Sequence, residues 1–526
     1  MTEKTFRPVS RTHGCTRAVI FGATLAFAAL TALPGLAQNA SATEFPIHGV
    51  RSYDPGHLLE FAYAHVAETD GVVTADRLAE AVELIYHEDG YFMARAWVVP
   101  ANNGHGLSLV VDEGSIDHVE IAGADARTGR RIAGYFSHVT DDVPPHIGDF
   151  ERALMLSDDL SGTYVTSAIE MPDGPGGATV ILEVAQDRQH GSFTLDTPPG
   201  EQESALGAYL VQEFYGVGAA GDMLRVELGA TSYYKEGDTD FYGELTYRIP
   251  VGDAGAYFEA LGGNLRSGRS EDGPLVATDL TGLDYGIAFG FPIRRTIGHY
   301  SYILFEAFHS EIESEGGGDT FVSAAEVLAA SWIRGDAHDN GSSTEFAATL
   351  ATGRRAEDSP TPFDDGDDDF WYLRFGAGLE APLGGQASGY WLDTDMWAQY
   401  SPNRLPSVEQ LYFGGRGSLR GYFAGEIGGD QAVGATVSVG RSLGGGGWRA
   451  LEGWSPYLFF DAAYVFNEEP SSIEVGEDSL YSGGLGVQLA FVENYDVDMW
   501  VGVAGKDGPV TESGDTTAYI GVTKSW

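Results

Sequence analysis

From about residue 190 onward the chain breaks into stretches of 9–13 residues in which apolar and polar side chains alternate. Trp371, Leu373, Phe375, Ala377, Leu379 and Ala381 are separated by Tyr372, Arg374, Gly376, Gly378 and Glu380. Phe241, Gly243, Leu245, Tyr247 and Ile249 alternate with Tyr242, Glu244, Thr246 and Arg248. Val497, Met499, Val501 and Val503 alternate with Asp496, Asp498, Trp500 and Gly502. Successive side chains of a strand point to opposite faces, so each stretch has one greasy face and one polar or small face. Sixteen such segments begin near 190, 206, 222, 240, 255, 283, 298, 323, 343, 371, 389, 431, 455, 479, 495 and 515. This pattern predicts a closed transmembrane barrel with lipid outside and water inside. Closure pairs the backbone groups of every strand, so no apolar helix is needed to cross a membrane.

The connections carry a second signal. The second, fourth, sixth, tenth and fourteenth are tight, as at Gly218–Gly221 and Glu493–Asn494, whereas 265–282, 309–322, 353–370 and above all 401–430 are long. Short turns at one rim and long loops at the other are expected of outer-membrane barrels. The twelfth connection, 442–454, is longer than that rule predicts.

Composition alone points elsewhere. The 526 residues carry 30 Lys and Arg against 77 Asp and Glu, a net charge of −47, which argues against a nucleic-acid binder. Mean hydropathy is only −0.13. Of the 72 glycines, 54 lie in 191–526, as do eight of the nine tryptophans. The N-terminus reads as a secretory signal peptide over 1–37. Arg7, Arg11 and Arg17 precede an apolar run from Ala18 to Leu33, and Pro34 and the small residues up to Ala37 close it. Cleavage after Ala37 removes four basic residues and one acidic residue, leaving −50. It also removes the single Cys15, so the mature chain has no disulfide chemistry.

Between the leader and the barrel the periodicity is mixed. Residues 55–67 and 74–88 predict amphipathic helices, with Leu58, Ala62 and Val66 on one face and Leu78, Val82, Ile85 and Tyr86 on another. Thr74 is placed to cap the second. Strands follow at about 92–99 and 107–112. A second pass has a strand at 116–122, helices near 127–137 and 149–157, and strands near 164–171 and 178–185. The repeat predicts two small α+β modules, over 45–114 and 115–189, ahead of an all-β barrel over 190–526.

Gly90-Tyr91-Phe92-Met93-Ala94-Arg95-Ala96-Trp97-Val98-Val99-Pro100 resembles the helix-to-strand passage of a POTRA (polypeptide-transport-associated) domain. Leu107–Ile116, continuing to Val119, Ile121 and Gly123, resembles its later strands, and Leu156–Gly162 carries the likeness into the second copy. A Gln common after the proline is replaced by Ala101 and Asn102. The most specific segment is Gly414-Gly415-Arg416-Gly417-Ser418-Leu419-Arg420-Gly421-Tyr422, which resembles the Arg-Gly-Tyr loop motif of the POTRA-barrel superfamily. The full pattern is similar to the TpsB transporters of two-partner secretion, the hemolysin secretion/activation family.

That resemblance implies that the sixth surface loop, 401–430, folds back into the lumen. Its Gly415, Arg416, Gly417, Leu419, Arg420, Gly421 and Tyr422 would form the transport motif. Arg420 would pair with Asp461 in a Phe-x-Asp-x-Gly pattern read here as Phe459, Asp461 and Ala463, with Ala in place of the final Gly. The end of the chain resembles the insertion signal of outer-membrane barrels, carried by Tyr519, Gly521 and Trp526; Lys524 departs from it. The implied function is export of a large TpsA-type exoprotein, such as a hemolysin or adhesin, with the modules binding the unfolded substrate in the periplasm. Implied partners are that exoprotein, outer-membrane lipid and the barrel-assembly machinery during insertion, with no cofactor, nucleotide or nucleic acid. Only residues 38–44 lie between the expected cleavage site and Phe45, so a plug helix found in many members is not expected, and gating falls to the loop.

Other chemistries are poorly supported. Arg420 replaces the last glycine of a dinucleotide fingerprint, and Gly505-Lys506 lacks the Ser or Thr of a phosphate loop. The thirteen histidines show no paired metal-ligand spacing, so no enzyme is expected. Asp364, Asp365, Asp367, Asp368 and Asp369 read as a solvated loop, or as a weak cation site without ordered calcium-loop spacing. The rival function is a barrel-protein or lipid assembly factor of the same superfamily. A passive porin would leave 45–187 and the Arg-Gly-Tyr loop unexplained.

Overall fold

A computed structural model describes residues 45–69, 72–101, 106–140, 144–171, 177–198, 205–233, 239–268, 279–316, 319–356, 367–444, 451–470 and 476–526. The proposed leader, Asn102, Asp364 and Asp365 lie outside these residues. Two compact units divide between Ser115 and Ile116.

The first unit contains β1 (Ile47–His48), α1 (Pro55–Thr69), α2 (Ala75–Glu88), β2 (Arg95–Pro100) and β3 (Leu107–Asp112). Thr74 accepts a hydrogen bond from the Arg77 amide, satisfying one orphan donor at the start of α2. Leu58, Ala62 and Val66 of α1 pack with Leu78, Val82 and Tyr86 of α2 over Leu109 and Val111 of β3. Each large aliphatic side chain buried there contributes about 1.5–3 kcal/mol. The sheet order is β1-β3-β2, β1 parallel and β2 antiparallel to β3. Glu113 is buried beneath it, accepting hydrogen bonds from the Arg51 and Ser52 amides and the Tyr86 hydroxyl.

The second unit opens with β4 (Ile116–Ala122), α3 (Ala126–Tyr135), α4 (Ile147–Asp158), β5 (Thr163–Glu170) and β6 (Ala178–Gln186), with sheet order β4-β6-β5. Sixteen barrel strands follow, and the last pairs with the first. They run Gln189–Asp196, Ala205–Tyr215, Met223–Tyr233, Thr239–Val251, Ala256–Gly268, Asp279–Thr296, His299–Gly316, Asp319–Ala337, Ser343–Arg355, Asp369–Leu383, Tyr390–Tyr400, Gln431–Arg441, Leu451–Phe466, Glu477–Phe491, Tyr495–Ala504 and Thr516–Ser525. No described helix is long and apolar enough to cross a membrane. The greasy faces point outward, where Phe241, Leu245, Trp371, Phe375, Val501 and Val503 are exposed.

The tight connections lie beside the α+β module. Arg127 donates to the Gly218 carbonyl (3.3 Å), Arg131 to Gly252 (3.1 Å) and Arg152 to Ala254 (3.0 Å) and Pro292 (3.1 Å). Arg295 grips Asp159 with two bonds of 2.7 Å. The even-numbered connections therefore share the module's rim, and the odd-numbered ones lie at the other.

Two connections differ from expectation. The seventh spans only residues 317–318, because the seventh and eighth strands stay paired from His299↔Asp336 to Gly316↔Asp319. The apolar run that marked those strands stops short of their ends, but the ladder keeps satisfying backbone groups beyond it. The long fifth connection likewise shrinks to 269–278.

Candidate functional site: the inward sixth loop

The loop between the eleventh and twelfth strands runs along the inner wall. At its root, Leu405 is buried against Phe308, Ala325, Val327 and Tyr372. The Tyr372 hydroxyl donates to Glu409 (2.9 Å), and Arg374 binds the Gln399 side chain and the Glu409 carbonyl. Asp430 accepts from the Leu405 amide, the Gln410 side chain and the Glu468 amide. A short ribbon, Leu411–Phe413 against Ile427–Gly429, then carries the tip away from this root and further into the barrel.

At the tip Arg420 meets Asp461 of the thirteenth strand. The guanidinium donates through Nε (3.0 Å) and a terminal nitrogen (2.7 Å), and the Arg420 amide adds a third bond at 2.8 Å. Asp461 is 0% exposed. A planar fork held by both carboxylate oxygens fixes direction as well as charge. The guanidinium carbon also sits 3.8 Å from the centre of the Phe459 ring. Phe459, Asp461 and Ala463 lie on the inward face by the period of two, and Ala463 packs with Leu419 and Tyr422.

The neighbouring residues lock the tip. The Tyr422 hydroxyl donates toward the Tyr481 and Lys506 carbonyls and accepts from the Lys506 amide. Gly421 has φ +134°, which favours glycine, and a Cβ there would lie 3.1 Å from Ser482 Cβ and from the Val503 backbone, so a side chain would press the loop away from the wall. Leu419 is held at φ 50°, a strained conformation for a branched residue, which persists because the surroundings over-determine it.

The other motif residues are spread. Gly415 is buried at the ribbon's end, and Gly417 is exposed at the turn. Arg416 is 3.5 Å from Asp196 of the first strand and 5.0 Å from the centre of the Tyr519 ring on the last. Tyr519 stacks on Trp500 in an inward aromatic cluster with Tyr457 and Phe459. Gly521 pairs with Asp196 across the closing seam. Trp526 continues that seam through two backbone bonds with Gly191 and caps it with a side-chain bond to Gln212. Lys524 is paired with the Glu493 carbonyl and lies over the Tyr495 ring. Asp368 pairs with Arg355, and Asp367 accepts from Asn403 and the Arg404 amide.

Sequence reasoning missed Glu409, Glu426, Asp430 and Tyr372. An acid in an aperiodic loop has no pattern to mark it, and Tyr372 read only as a lumen-facing position. The lumen wall is also more aromatic than expected, because a docked loop turns part of a watery face into a packed one.

Residues 339–489, which include this loop and Asp461, match the family described as haemolysin secretion/activation protein ShlB/FhaC/HecB. No curated protein matches the sequence. The fold is similar to CdiB from Escherichia coli, at TM-score 0.71 and 15% identity over 93% of each chain. CdiB from Acinetobacter baumannii gives 0.68 and 13%, covering 92% of this chain and 89% of that one. BamA from Haemophilus ducreyi lacking POTRA domains 1–3 gives 0.51 and 14%, covering 92% and 100%. At such identities these likenesses establish the fold, while the family match falls on the part of the barrel that holds the loop. Together they show that the chain shares the barrel fold of these proteins, with the likeness to the haemolysin secretion/activation family carried by residues 339–489.

Proposed function

We propose that the chain is the outer-membrane translocator of a large TpsA-type exoprotein, and that the Arg420–Asp461 pair is the latch that positions its inward loop. The observation that carries the latch is the three-bond engagement of a fully buried carboxylate by a residue on a loop 41 positions away. The two α+β modules, as POTRA domains, face the periplasm and bind the unfolded substrate. Edge strands offer it unpaired backbone groups for strand addition. Residues 1–37 are the export leader. Tyr519, Gly521 and Trp526 present the last strand to the assembly machinery, after which outer-membrane lipid surrounds the greasy face.

Deleting the gene and measuring the secreted partner in the medium tests the translocator. The expected outcome is loss of that protein alone. If it were still secreted while other barrel proteins vanished from the membrane, the assembly-factor reading would replace this one. Arg420→Ala tests the latch: secretion should fall sharply with the barrel still folded, and unchanged secretion would refute the role given to Arg420.

A further inference from the structure

The Arg420–Asp461 pair holds only one side of the loop tip. Six residues later Glu426, 7% exposed, reaches in another direction, toward the connection that precedes the final strand. One carboxylate oxygen accepts from the Val510 amide (2.8 Å) and the Thr511 amide (2.8 Å). The other accepts from the Thr511 hydroxyl (2.8 Å) and from the Phe423 amide of its own loop (3.1 Å). Thr511 is itself buried. The connection is shaped to the carboxylate: a Cβ on Gly508 would stand 2.5 Å from the Glu426 oxygen, and the Gly508 amide is turned back to the Thr511 carbonyl.

We infer that Glu426 is a second, independent positioning residue, which ties the sixth loop to the 505–515 connection by its carboxylate. Three backbone amides and one hydroxyl solvate a buried charge in place of water, and such charge-assisted bonds are short and directional. The two holds differ in kind. Arg420 fastens the tip to the thirteenth barrel strand, whereas Glu426 fastens the returning arm to a connection between the last two strands. Neither shares a partner with the other, so loss of one leaves the loop tethered by the second. The Tyr422 hydroxyl, at Lys506, joins the same connection from the tip side. Freeing the loop for passage of a chain therefore requires the 505–515 connection to let go as well as Asp461. This inference rests on the translocator reading with its loop in the lumen, and the experiment separates the two.

The full chain with Glu426→Ala is purified from outer membranes, checked for the heat-dependent gel shift of a folded barrel, and recorded in planar bilayers. The expected result is an open-state occupancy raised about tenfold or more, since two or more charge-assisted bonds are lost. Thr511→Val removes only the hydroxyl and keeps the shape, so it serves if the alanine variant does not fold, and a smaller rise in the same direction is expected. Glu426→Gln keeps a carbonyl acceptor and should fall between wild type and Glu426→Ala. Glu426→Ala combined with Thr511→Val should be no more open than Glu426→Ala alone. Wild-type occupancy in a folded Glu426→Ala or Thr511→Val barrel, or additive effects in the double variant, would overturn the inference. Failure of the translocator reading shows elsewhere, as undiminished secretion when the gene is deleted, and leaves the bilayer result standing.

Discussion

Arg420 and Asp461 set the residue-scale energetics of the site. Removing one partner of a buried pair leaves an uncompensated charge, at a cost of about 3–5 kcal/mol. Arg420→Ala should therefore lower the denaturation midpoint of the purified barrel and expose the 401–430 loop to protease. Arg420→Lys keeps the charge but loses the fork and the stacking on Phe459, so it should recover only part of that loss. Glu113 of the first module makes a different test. Burial alone would raise its pKa, but hydrogen bonds from Ser52, Tyr86 and Arg51, with the Arg51 guanidinium nearby, hold it below the ordinary carboxylate range. A folded-state value below the unfolded one means that Glu113 stabilises the module at neutral pH. That contribution is lost as pH falls through the folded value. Hydrogen exchange of the full chain should show α1 and α2 loosening on acidification below about pH 4. In Glu113→Gln, which should already cost about 1–3 kcal/mol at pH 7, this pH dependence should be weaker.

At the scale of elements, the second module is fastened to the barrel by arginines aimed at turn carbonyls and by the Arg295–Asp159 fork. Tyr302 donates a further bond to Asp159 (2.9 Å). Arg295→Ala should leave the barrel folded but raise amide exchange across α4 and residues 252–255 by about tenfold, roughly what loss of one to two net hydrogen bonds allows. Unchanged exchange would show that packing of α4 alone sets the dock. The helices of both modules were legible because their apolar residues recur at helical spacing and Thr74 marks a start. The protruding seventh and eighth strands were not. Glu311, Glu313 and Glu315 continue the ladder with charged side chains, so nothing in composition separates strand from loop there.

At the scale of the whole molecule, the acidic balance takes on a location. Glu345, Glu380, Asp393 and Asp395 fall on the inward face of the ninth to eleventh strands, brought together by the pairings Glu345↔Gly378, Glu380↔Asp393 and Gly378↔Asp395. A pore lined by excess carboxylate concentrates cations and repels anions. Open events in bilayers under a salt gradient should therefore give a reversal potential of cation preference. Substituting Asp393 and Asp395 together by Asn should weaken it, and anion preference in the unaltered protein would refute the assignment.

The sequence by itself determined the strand number, the faces and the rim of short turns, because a barrel in lipid imposes a period of two on every crossing and short turns on one side. It also marked the loop, through glycines clustered around an arginine. The family resemblance implied the Arg420–Asp461 pair, and only the tertiary structure decided what else the loop touches. Glu426, Thr511, Asp430 and Tyr372 stand up to 85 residues from their partners, and no local period encodes a contact made across the inside of a closed wall. Barrel closure first brings those positions within reach, and burial then makes each unpaired charge costly enough to fix its partner.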